Sequence, residues 1–202
     1  MLLVNKIHNE VKMKRIEQKE KRRQEILNVG LDLFIQKGYA ATRTAEIAKN
    51  VGMSEGLFFH YFETKEKLYL ALIDIAVSGM HKTFNLTADS PIAFFENVAK
   101  FVIENCAKDN LIAKLFVLMN YAENDNSLSE DIRNKIKGQH ELDQTVKIIE
   151  QGQKENSIKS GDPLALALTF WATIHGIVGN IARNPTLPIP NYVWIVDILR
   201  KY

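Results

Sequence analysis

The stretch SEGLFFHYFETKEKL, residues 54–68, places five ring-bearing side chains in unbroken succession from Phe58 to Phe62. Ser54 is a good N-cap, so a short helix is expected here. Phe58 and Phe62 are four residues apart and share one helical face, with Gly56 on the opposite face. Helical geometry cannot turn five consecutive side chains one way. The sequence therefore predicts that these two phenylalanines face the core and that the rings between them face water or a partner.

The residues just before this stretch predict a second short helix and a tight turn. TAEIAKNVG, residues 44–52, reads as a helix closed by Gly52, which can take the positive φ of a helix-to-helix turn. Ile47 and Val51 supply its inner face, and Ala48 is small where the two helices would cross. Helices this short survive only when they are packed against neighbours. The spacing is that of a helix-turn-helix.

The outward face of the second helix carries Gly56 and His60 and therefore needs something to touch. A DNA major groove fits, because it admits a helix and has phosphates along its walls. His60 and Tyr61 can form hydrogen bonds with phosphates, and Gly56 allows close approach. Thr44 and Lys65 are expected at helix N-termini, where backbone N–H groups favour anions.

Charge is unevenly distributed along the 202 residues. Residues 1–68 hold 13 Lys and Arg against 9 Asp and Glu, whereas residues 69–202 hold 13 against 15. This imbalance suggests an anionic partner for the first part. The single cysteine, Cys106, excludes an internal disulfide and a cysteine metal cluster, and it suits the reducing cytoplasm.

The N-terminal segment from Lys12 to Arg23 alternates basic residues with Glu17 and Glu20. As a helix, this pattern indicates mostly an i,i+4 salt-bridge face. Wrapping of the segment onto DNA is the alternative interpretation.

Helical periodicity runs through the chain, and the period-two alternation of strands is nearly absent. We therefore predict an all-α fold of about nine helices. The first of them should stop at Gly38, and another should run from Asn110 to Glu123 on apolar periodicity. Ser127, with Glu130 three residues on, should open one long polar helix that reaches about Gln153.

From Pro163 to Ala182 no residue is charged, a length that can span a bilayer. Thr169 and Asn180 dilute the run, and Asp162 before the proline reads as an N-cap. We expect a helix buried partly by its own domain and partly by a partner, and no membrane contact.

Residues 38–73, GYAATRTAEIAKNVGMSEGLFFHYFETKEKLYLALI, resemble the N-terminal domain of the tetracycline-repressor (TetR) family. The match runs from Ile26 to Leu72, and beyond it the chain is similar only in being helical and of suitable length. The matching residues are Gly38, Tyr39, Thr42, Thr44, Ile47, Ala48, Gly52, Met53, Ser54, Gly56, Tyr61, Phe62, Lys65, Glu66 and Leu68. The resemblance implies a two-domain homodimer that binds a palindromic operator, usually as a repressor, and is released from it by a small molecule.

We predict two domains preceded by an arm: a basic arm or helix extension at 1–22, a three-helix helix-turn-helix DNA-binding domain at 23–68, and a larger helical ligand-binding and dimerisation domain at 69–202. The implied phosphate contacts are Thr44, Phe59, Tyr61 and Lys65. The implied contacts to bases or nearby backbone are Ser54, Glu55, Leu57 and His60, with Gly56 allowing close approach.

Three positions depart from the family pattern. Phe59 replaces a common tyrosine, which removes one phosphate hydrogen bond. Leu57 stands where a small polar residue is common, and it can touch a thymine methyl group. Glu55 often has a basic counterpart; here it either accepts from a cytosine amino group or repels phosphate.

For the C-terminal domain we predict a pocket for an unidentified small-molecule effector, although aromatic side chains at helical spacing are usually plain core. The candidates are Phe95, Phe101, Phe116, Met119, Tyr121, Trp171 and His175. We expect the 163–182 helix and the C-terminal helix to form the homodimer interface.

Motifs of common enzymes do not occur in the sequence: it contains no GxGxxG, P-loop, nucleophile elbow or HExxH. Its five histidines also lack metal-ligand spacing. We therefore expect no enzyme activity, cofactor or metal. Two alternatives to a ligand-responsive regulator stay open: a ligand-insensitive architectural DNA-binding protein, and a helical module that contacts protein instead of DNA.

Overall fold

The computed structural model describes residues 2–84, 86–137 and 141–202, with side chains described outside 2–12, 83–84, 137 and 141. Within these ranges the chain is all-α, and one isolated antiparallel bridge joins Ile158 to Arg200. The helices are α1 (Leu2–Ala41), α2 (Thr44–Val51), α3 (Glu55–Phe59), α4 (Lys65–Phe84), α5 (Pro91–Lys108), α6 (Asn110–Glu123), α7 (Glu130–Lys137), α8 (Glu141–Lys154), α9 (Pro163–Arg183) and α10 (Tyr192–Val196).

The all-α prediction is confirmed, with ten helices in the described ranges instead of about nine. Part of the difference lies in the polar segment after Ser127, which we expected to be one long helix. It contains α7 and α8, and residues 138–140 between them lie outside the described residues.

The chain divides into two compact units, Met1–Leu72 and Ile73–Tyr202. In the first unit, α1 buries a stripe of apolar side chains at helical spacing, Ile26, Leu27, Leu31 and Phe34. The α1 helix is kinked at Gly38, where φ is 78°, a conformation that glycine adopts without steric cost. The end of α1 is therefore bent where we expected a C-terminal stop.

The second unit has its core around α9. The inward face of α9 carries Phe170, Ile174 and Val178, all fully buried. Phe170 contacts the ring of Phe95 on α5 edge-on, with the ring centroids 4.9 Å apart. The predicted N-cap is confirmed, because Asp162 accepts a hydrogen bond from the Ala165 N–H at 2.8 Å.

The opposite side of α9 is exposed. Leu164 and Leu168 are 47% and 51% exposed, and neither Ala172 nor Gly176 is covered. Among the described helices, α9 is the one long and apolar enough to cross a bilayer by length and composition alone. Its buried face is also what the central helix of a folded core shows, so the hydropathy of α9 is weak evidence for a membrane span.

Candidate DNA-binding surface and cavity

The turn between α2 and α3 is fixed by its backbone. Gly52 has φ 72° and ψ 40°, and its N–H donates to the carbonyl of Ala48. The Met53 N–H donates to the same carbonyl at 3.0 Å. Ser54 then caps α3 by accepting from the Leu57 N–H at 3.2 Å. The predicted helix-turn-helix, with positive φ at Gly52, is confirmed.

Neighbouring rings in and after α3 have opposite environments. Phe58 is fully buried and Phe62 is 4% exposed, with their ring centroids 6.2 Å apart. Phe59, next to Phe58 in the chain, is 44% exposed; His60 is exposed and Tyr61 is half-buried. The prediction that two phenylalanines anchor this segment from behind while the other rings face outward is confirmed.

We call the exposed residues of this segment the α3 ridge: Ser54, Glu55, Gly56, Leu57, Phe59 and His60. A Cβ atom added at Gly56 would meet no other atom within 4 Å, so the packing of the protein itself does not require a glycine there. Leu57, like Phe59, leaves 44% of its surface in water. These are features expected of a surface that a partner covers.

The first residues of α2 and α3 are joined by a hydrogen bond. The Thr44 hydroxyl donates to a carboxylate oxygen of Glu55. This bond uses the one hydroxyl proton with which Thr44 would contact a phosphate. A phosphate contact from the Thr44 side chain therefore requires Glu55 to be released, so the two predicted roles are coupled.

Lys65 forms contacts inside the first unit that the sequence did not predict. Its ammonium donates to the carbonyls of Tyr39 at 2.7 Å and Thr42 at 2.9 Å, and it lies 4.2 Å from the centroid of the Tyr39 ring. These carbonyls follow the kink at Gly38, where α1 ends and its last carbonyls lack helical partners. Burial lowers the pKa of Lys65. Its phosphate contact stays a prediction, and it requires these bonds to rearrange.

The second unit contains a cavity of about 580 Å³ between α4, α5 and α6, which we call the α4 cavity. Its volume lies in the range of small-molecule sites. Three of the predicted pocket residues, Phe101, Phe116 and Met119, line it. Its wall is mainly apolar, with polar groups from Asp74, Ser78, Lys82 and Asn105.

Sequence reasoning missed the contribution of α4 to this cavity. The residues concerned are Ile75, Ala76, Ser78, Gly79 and Met80. The available signal was the three small residues within four positions, Ala76, Ser78 and Gly79, since small side chains on a packed helix leave space beside it. Gly79 confirms this, because a Cβ atom added there would meet no other atom within 4 Å.

The other four predicted pocket residues lie elsewhere. Tyr121 and His175 line a smaller cavity of about 180 Å³ between α6 and α9. Phe95 and Trp171 line neither of these two cavities. Phe95 is a correction to the prediction: it is fully buried against Phe170, because residues at this spacing on α5 point into the core. Trp171 is held at α8 instead, where its indole N–H donates to the Thr145 hydroxyl at 3.1 Å.

His175 is oriented by its neighbours. The Asn120 amide donates to Nδ1 of His175 at 3.1 Å, and the Phe116 ring lies edge-on to the imidazole with centroids 5.0 Å apart. Burial lowers the pKa of His175, so the imidazole is neutral at pH 7. A neutral imidazole can orient a polar group by hydrogen bonding without adding charge.

Cys106 lines the α4 cavity, but its chemistry is that of an inert thiol. Burial, and secondarily the charge of Asp109, raises the pKa of Cys106 to about 12. The reactive thiolate is therefore scarce at neutral pH. Among the described residues, no three His, Cys, Asp or Glu side chains form a group that could hold a metal ion.

Comparison with known proteins gives the first unit a family. Residues 26–72 match the family described as bacterial regulatory proteins, tetR family. Over 53 residues the chain is 45% identical to the HTH-type transcriptional regulator QacR of Staphylococcus aureus, a match that covers 26% of this chain and 28% of QacR. The first four curated relatives are matched over only 24% to 36% of their own length.

Solved structures extend the likeness of fold over most of the chain. The MbdR regulator from Azoarcus sp. CIB superposes with a TM-score of 0.69 at 21% identity, covering 88% of this chain and 96% of MbdR. AibR, solved in complex with isovaleryl coenzyme A and operator DNA, superposes with a TM-score of 0.64 at 18% identity, covering 87% of this chain and 94% of AibR. At these identities the likeness shows the fold alone.

The geometry defines a helix-turn-helix protein with a second, larger helical unit that surrounds a cavity. Its helix-turn-helix segment, residues 26–72, belongs to the tetR family of bacterial regulatory proteins. The relatives named above are regulators and not enzymes.

Proposed function

We propose that the protein is a ligand-responsive transcriptional regulator that binds a palindromic DNA operator as a homodimer and is released from it by a small molecule. The observation that carries the proposal is the α3 ridge, whose outward side chains are held by the buried Phe58 and Phe62. This arrangement presents a short helix to a major groove, as helix-turn-helix proteins do. Such a regulator works in the cytoplasm, where bacterial DNA lies.

The α3 ridge and the groups beside it have proposed roles toward DNA. Leu57 contacts a thymine methyl group, and Glu55 accepts from a cytosine amino group once Thr44 has released it. Tyr61 and the backbone N–H groups at the start of α2 bind phosphates. The open space beside Gly56 lets the groove approach the helix backbone closely.

The homodimer forms through the exposed side of α9 and the C-terminal helix. Leu164 and Leu168 leave about half of their surface in water, and Trp194 on α10 is 67% exposed. An apolar surface of this kind supports a self-complementary two-fold interface. In the dimer, two α3 ridges would enter successive major grooves about 34 Å apart.

The effector binds in the α4 cavity. α4 runs unbroken from Lys65 to Phe84 and so supplies residues to both units. A ligand that fits the cavity better in one position of α4 shifts the population toward that position, by no more than its preference for that state. Because the wall is mainly apolar, we propose an apolar or amphipathic effector; AibR, of the same fold, was solved with an acyl coenzyme A.

Selection of bound sequences from a random duplex pool tests the DNA part. We expect two inverted half-sites about one helical turn apart, and a changed preference at one position of each half-site in Leu57→Ala. Salt titration on the recovered duplex should give a log–log slope of about −0.9 per phosphate contact. A slope near zero that Tyr61→Phe does not change would reject DNA binding and favour the protein-interaction module.

A cavity-filling variant tests the ligand part. Gly79→Leu should fill the α4 cavity with little strain, because the added Cβ atom meets open space. We expect the fluorescent probe 1-anilinonaphthalene-8-sulfonate to bind the native protein and to lower its affinity for the recovered duplex. With Gly79→Leu, the probe should neither bind nor change the affinity for DNA. Glu150→Leu places the same side chain at an exposed position of α8, away from both the cavity and the proposed dimer surface, and should retain probe binding. If Gly79→Leu binds the probe as tightly as the native protein, the cavity is not the effector site and the ligand-insensitive architectural protein is favoured.

A further inference from the structure

The positive charge of the first unit is concentrated outside its helix-turn-helix. Residues 1–23 hold eight Lys and Arg against three Asp and Glu, whereas residues 24–68 hold five against six. Basic side chains that neutralise phosphates supply the salt-dependent part of the affinity for duplex DNA. In a dimer the two helix-turn-helix units would hold ten Lys and Arg, against sixteen in the two copies of residues 1–23, so most of these cations lie outside the helix-turn-helix.

Two of the five cations in residues 24–68 are already engaged. Lys37 forms an ion pair with Glu46. Lys65 donates to the carbonyls at the end of α1. Within residues 24–68 this leaves Arg43, Lys49 and Lys67 as exposed basic side chains for which the described contacts include no ion pair.

The N-terminal segment is not a loose tail, because α1 continues as helix back to Leu2. At 100° per residue, Arg15, Lys19 and Arg22 fall within about 60° of one another on the helical wheel. Glu17 and Glu20 lie on the other side of the helix, at least about 100° from each of these three residues. We call Arg15, Lys19 and Arg22 the basic face of the arm.

The salt-bridge ladder expected from the sequence is mostly missing. Among the described side chains of residues 13–25, ion pairs join Arg22 to Glu25 at 2.8 Å and Arg23 to Glu20 at 4.0 Å. Arg15 and Lys19 are exposed and take part in no ion pair in this part of the chain. The interpretation of the arm as a self-neutralised face is therefore wrong for Arg15 and Lys19, whereas Arg22 is paired with Glu25.

The arm meets the helix-turn-helix beside the turn that leads to the α3 ridge. The Arg22 guanidinium donates to the carbonyl of Val51, the residue before Gly52, at 3.3 Å. The Arg23 guanidinium lies 4.9 Å from the centroid of the Phe62 ring, which backs α3. These two contacts fix the direction in which the arm leaves the domain, and they put the end of the basic face next to the DNA-facing turn.

We propose that the basic face of the arm binds backbone phosphates of the operator next to the half-site that α3 reads. This inference rests on the proposed function, which supplies the DNA, and adds a second contact surface to it. From Arg15 to Arg22 the helix rises about 10 Å, enough to follow roughly three base pairs. The arm would supply affinity without sequence preference, because phosphate contacts carry no base information.

Charge-neutral variants on two faces of the arm test the proposal. Arg15→Gln with Lys19→Gln removes two charges from the basic face, and Lys14→Gln with Lys21→Gln removes two charges from a face centred more than about 100° away. Both pairs are exposed and leave Arg22 and its contact to Val51 intact. Equal thermal unfolding curves for the two variants and the native protein would show that folding is unaffected.

The measurement is the salt dependence of binding to a duplex recovered by the native protein from a random pool. For a dimer, the Arg15 and Lys19 variant should flatten the log–log slope by about 2 to 4 and weaken binding at about 0.1 M salt at least tenfold, with unchanged sequence preference. The Lys14 and Lys21 variant should change the slope less than half as much.

Three outcomes would overturn the inference: an unchanged slope in the Arg15 and Lys19 variant, equal changes in both variants, or loss in that variant of binding to phosphatidylglycerol vesicles with DNA binding intact. The last result would assign the basic face to a membrane surface. A native protein with no salt-dependent DNA binding would instead reject the proposed function, so the two failures are distinguishable.

Discussion

The two units carry their candidate sites in opposite ways. In Met1–Leu72 the side chains of interest stand on an outward-facing ridge, whereas in Ile73–Tyr202 they surround a cavity of about 580 Å³. A ridge on one short helix is defined by the local geometry of a few residues. A cavity is defined by how three helices fail to fill the space between them. The first kind of site can therefore be located from sequence far more reliably than the second.

The sharpest contrast in the first unit is between two adjacent rings, the buried Phe58 and the exposed Phe59, and it predicts the largest effect. Phe58→Ala removes a fully buried ring and should lower the free energy of unfolding by about 3–5 kcal/mol. Phe59→Ala removes a ring that is 44% exposed and touches Phe58 edge-on at 5.5 Å, so it should cost about 1 kcal/mol or less. Urea unfolding measures both.

DNA affinity gives a second test of the exposed ring. Folded Phe59→Ala should bind an operator duplex more weakly than the native protein, since its ring faces outward. If Phe59→Ala destabilises the protein as much as Phe58→Ala, both rings belong to the hydrophobic core. The α3 ridge would then not be a DNA-binding surface.

Replacing Lys65 should give the next largest effect. The replacement tests whether the ammonium group stabilises the fold or contacts DNA. Lys65→Met leaves the carbonyls of Tyr39 and Thr42 without their charged donor, which should cost about 1–3 kcal/mol of stability. Lys67→Met, two residues on and exposed, should leave the melting temperature unchanged.

The opposite pattern for Lys65 is equally informative. An unchanged melting temperature in Lys65→Met, together with a salt slope flattened by about one phosphate contact per protomer, would show that the ammonium leaves the carbonyls for DNA. Our account of the end of α1 would then be wrong.

Gly56→Ala should separate stability from binding by the sign of its effects. Alanine is the better helix former and meets no atom within 4 Å, so the variant should be more stable by up to about 1 kcal/mol. The added methyl group should nevertheless weaken DNA binding severalfold, because it stands where the groove approaches. Unfolding curves and duplex titrations on one preparation check both signs, and unimpaired binding would remove Gly56 from the interface.

In the first unit, the turn and the α3 ridge could be predicted from the sequence because they depend on residues close together in the chain. The positive φ at Gly52, the cap at Ser54 and the burial of Phe58 and Phe62 were all predicted from spacing and residue type, and all are confirmed. What spacing could not reveal was a contact between distant residues. The bonds from Lys65 to carbonyls 23 and 26 positions earlier depend on how α1 and α4 come together.

In the second unit, the helices were predicted better than the space between them. α6 was predicted with its observed bounds, Asn110 to Glu123, from apolar periodicity. The pocket prediction favoured aromatic residues, yet Phe95 fills the core, and much of the cavity wall comes from Ala76, Ser78 and Gly79. A cavity is located by missing volume, and a single sequence shows which side chains are small without showing what faces them.

The smallest predicted effect concerns His175 in the second unit, and it is a change in how the free energy of unfolding depends on pH. Because burial lowers its pKa in the folded state, the unfolded chain binds the His175 proton at a higher pH than the folded one. The contribution of His175 to stability is therefore fully present above its ordinary pKa of about 6.5 and declines as the pH falls below it.

In His175→Gln, which keeps an acceptor for the Asn120 amide, this decline should be missing. The check is the difference between the native and variant free energies of unfolding from pH 5 to pH 8, since other titrating groups cancel in it. A difference independent of pH would mean that the imidazole titrates as it does in water, and α6 and α9 would then enclose it less tightly than its contacts to Asn120 and Phe116 indicate.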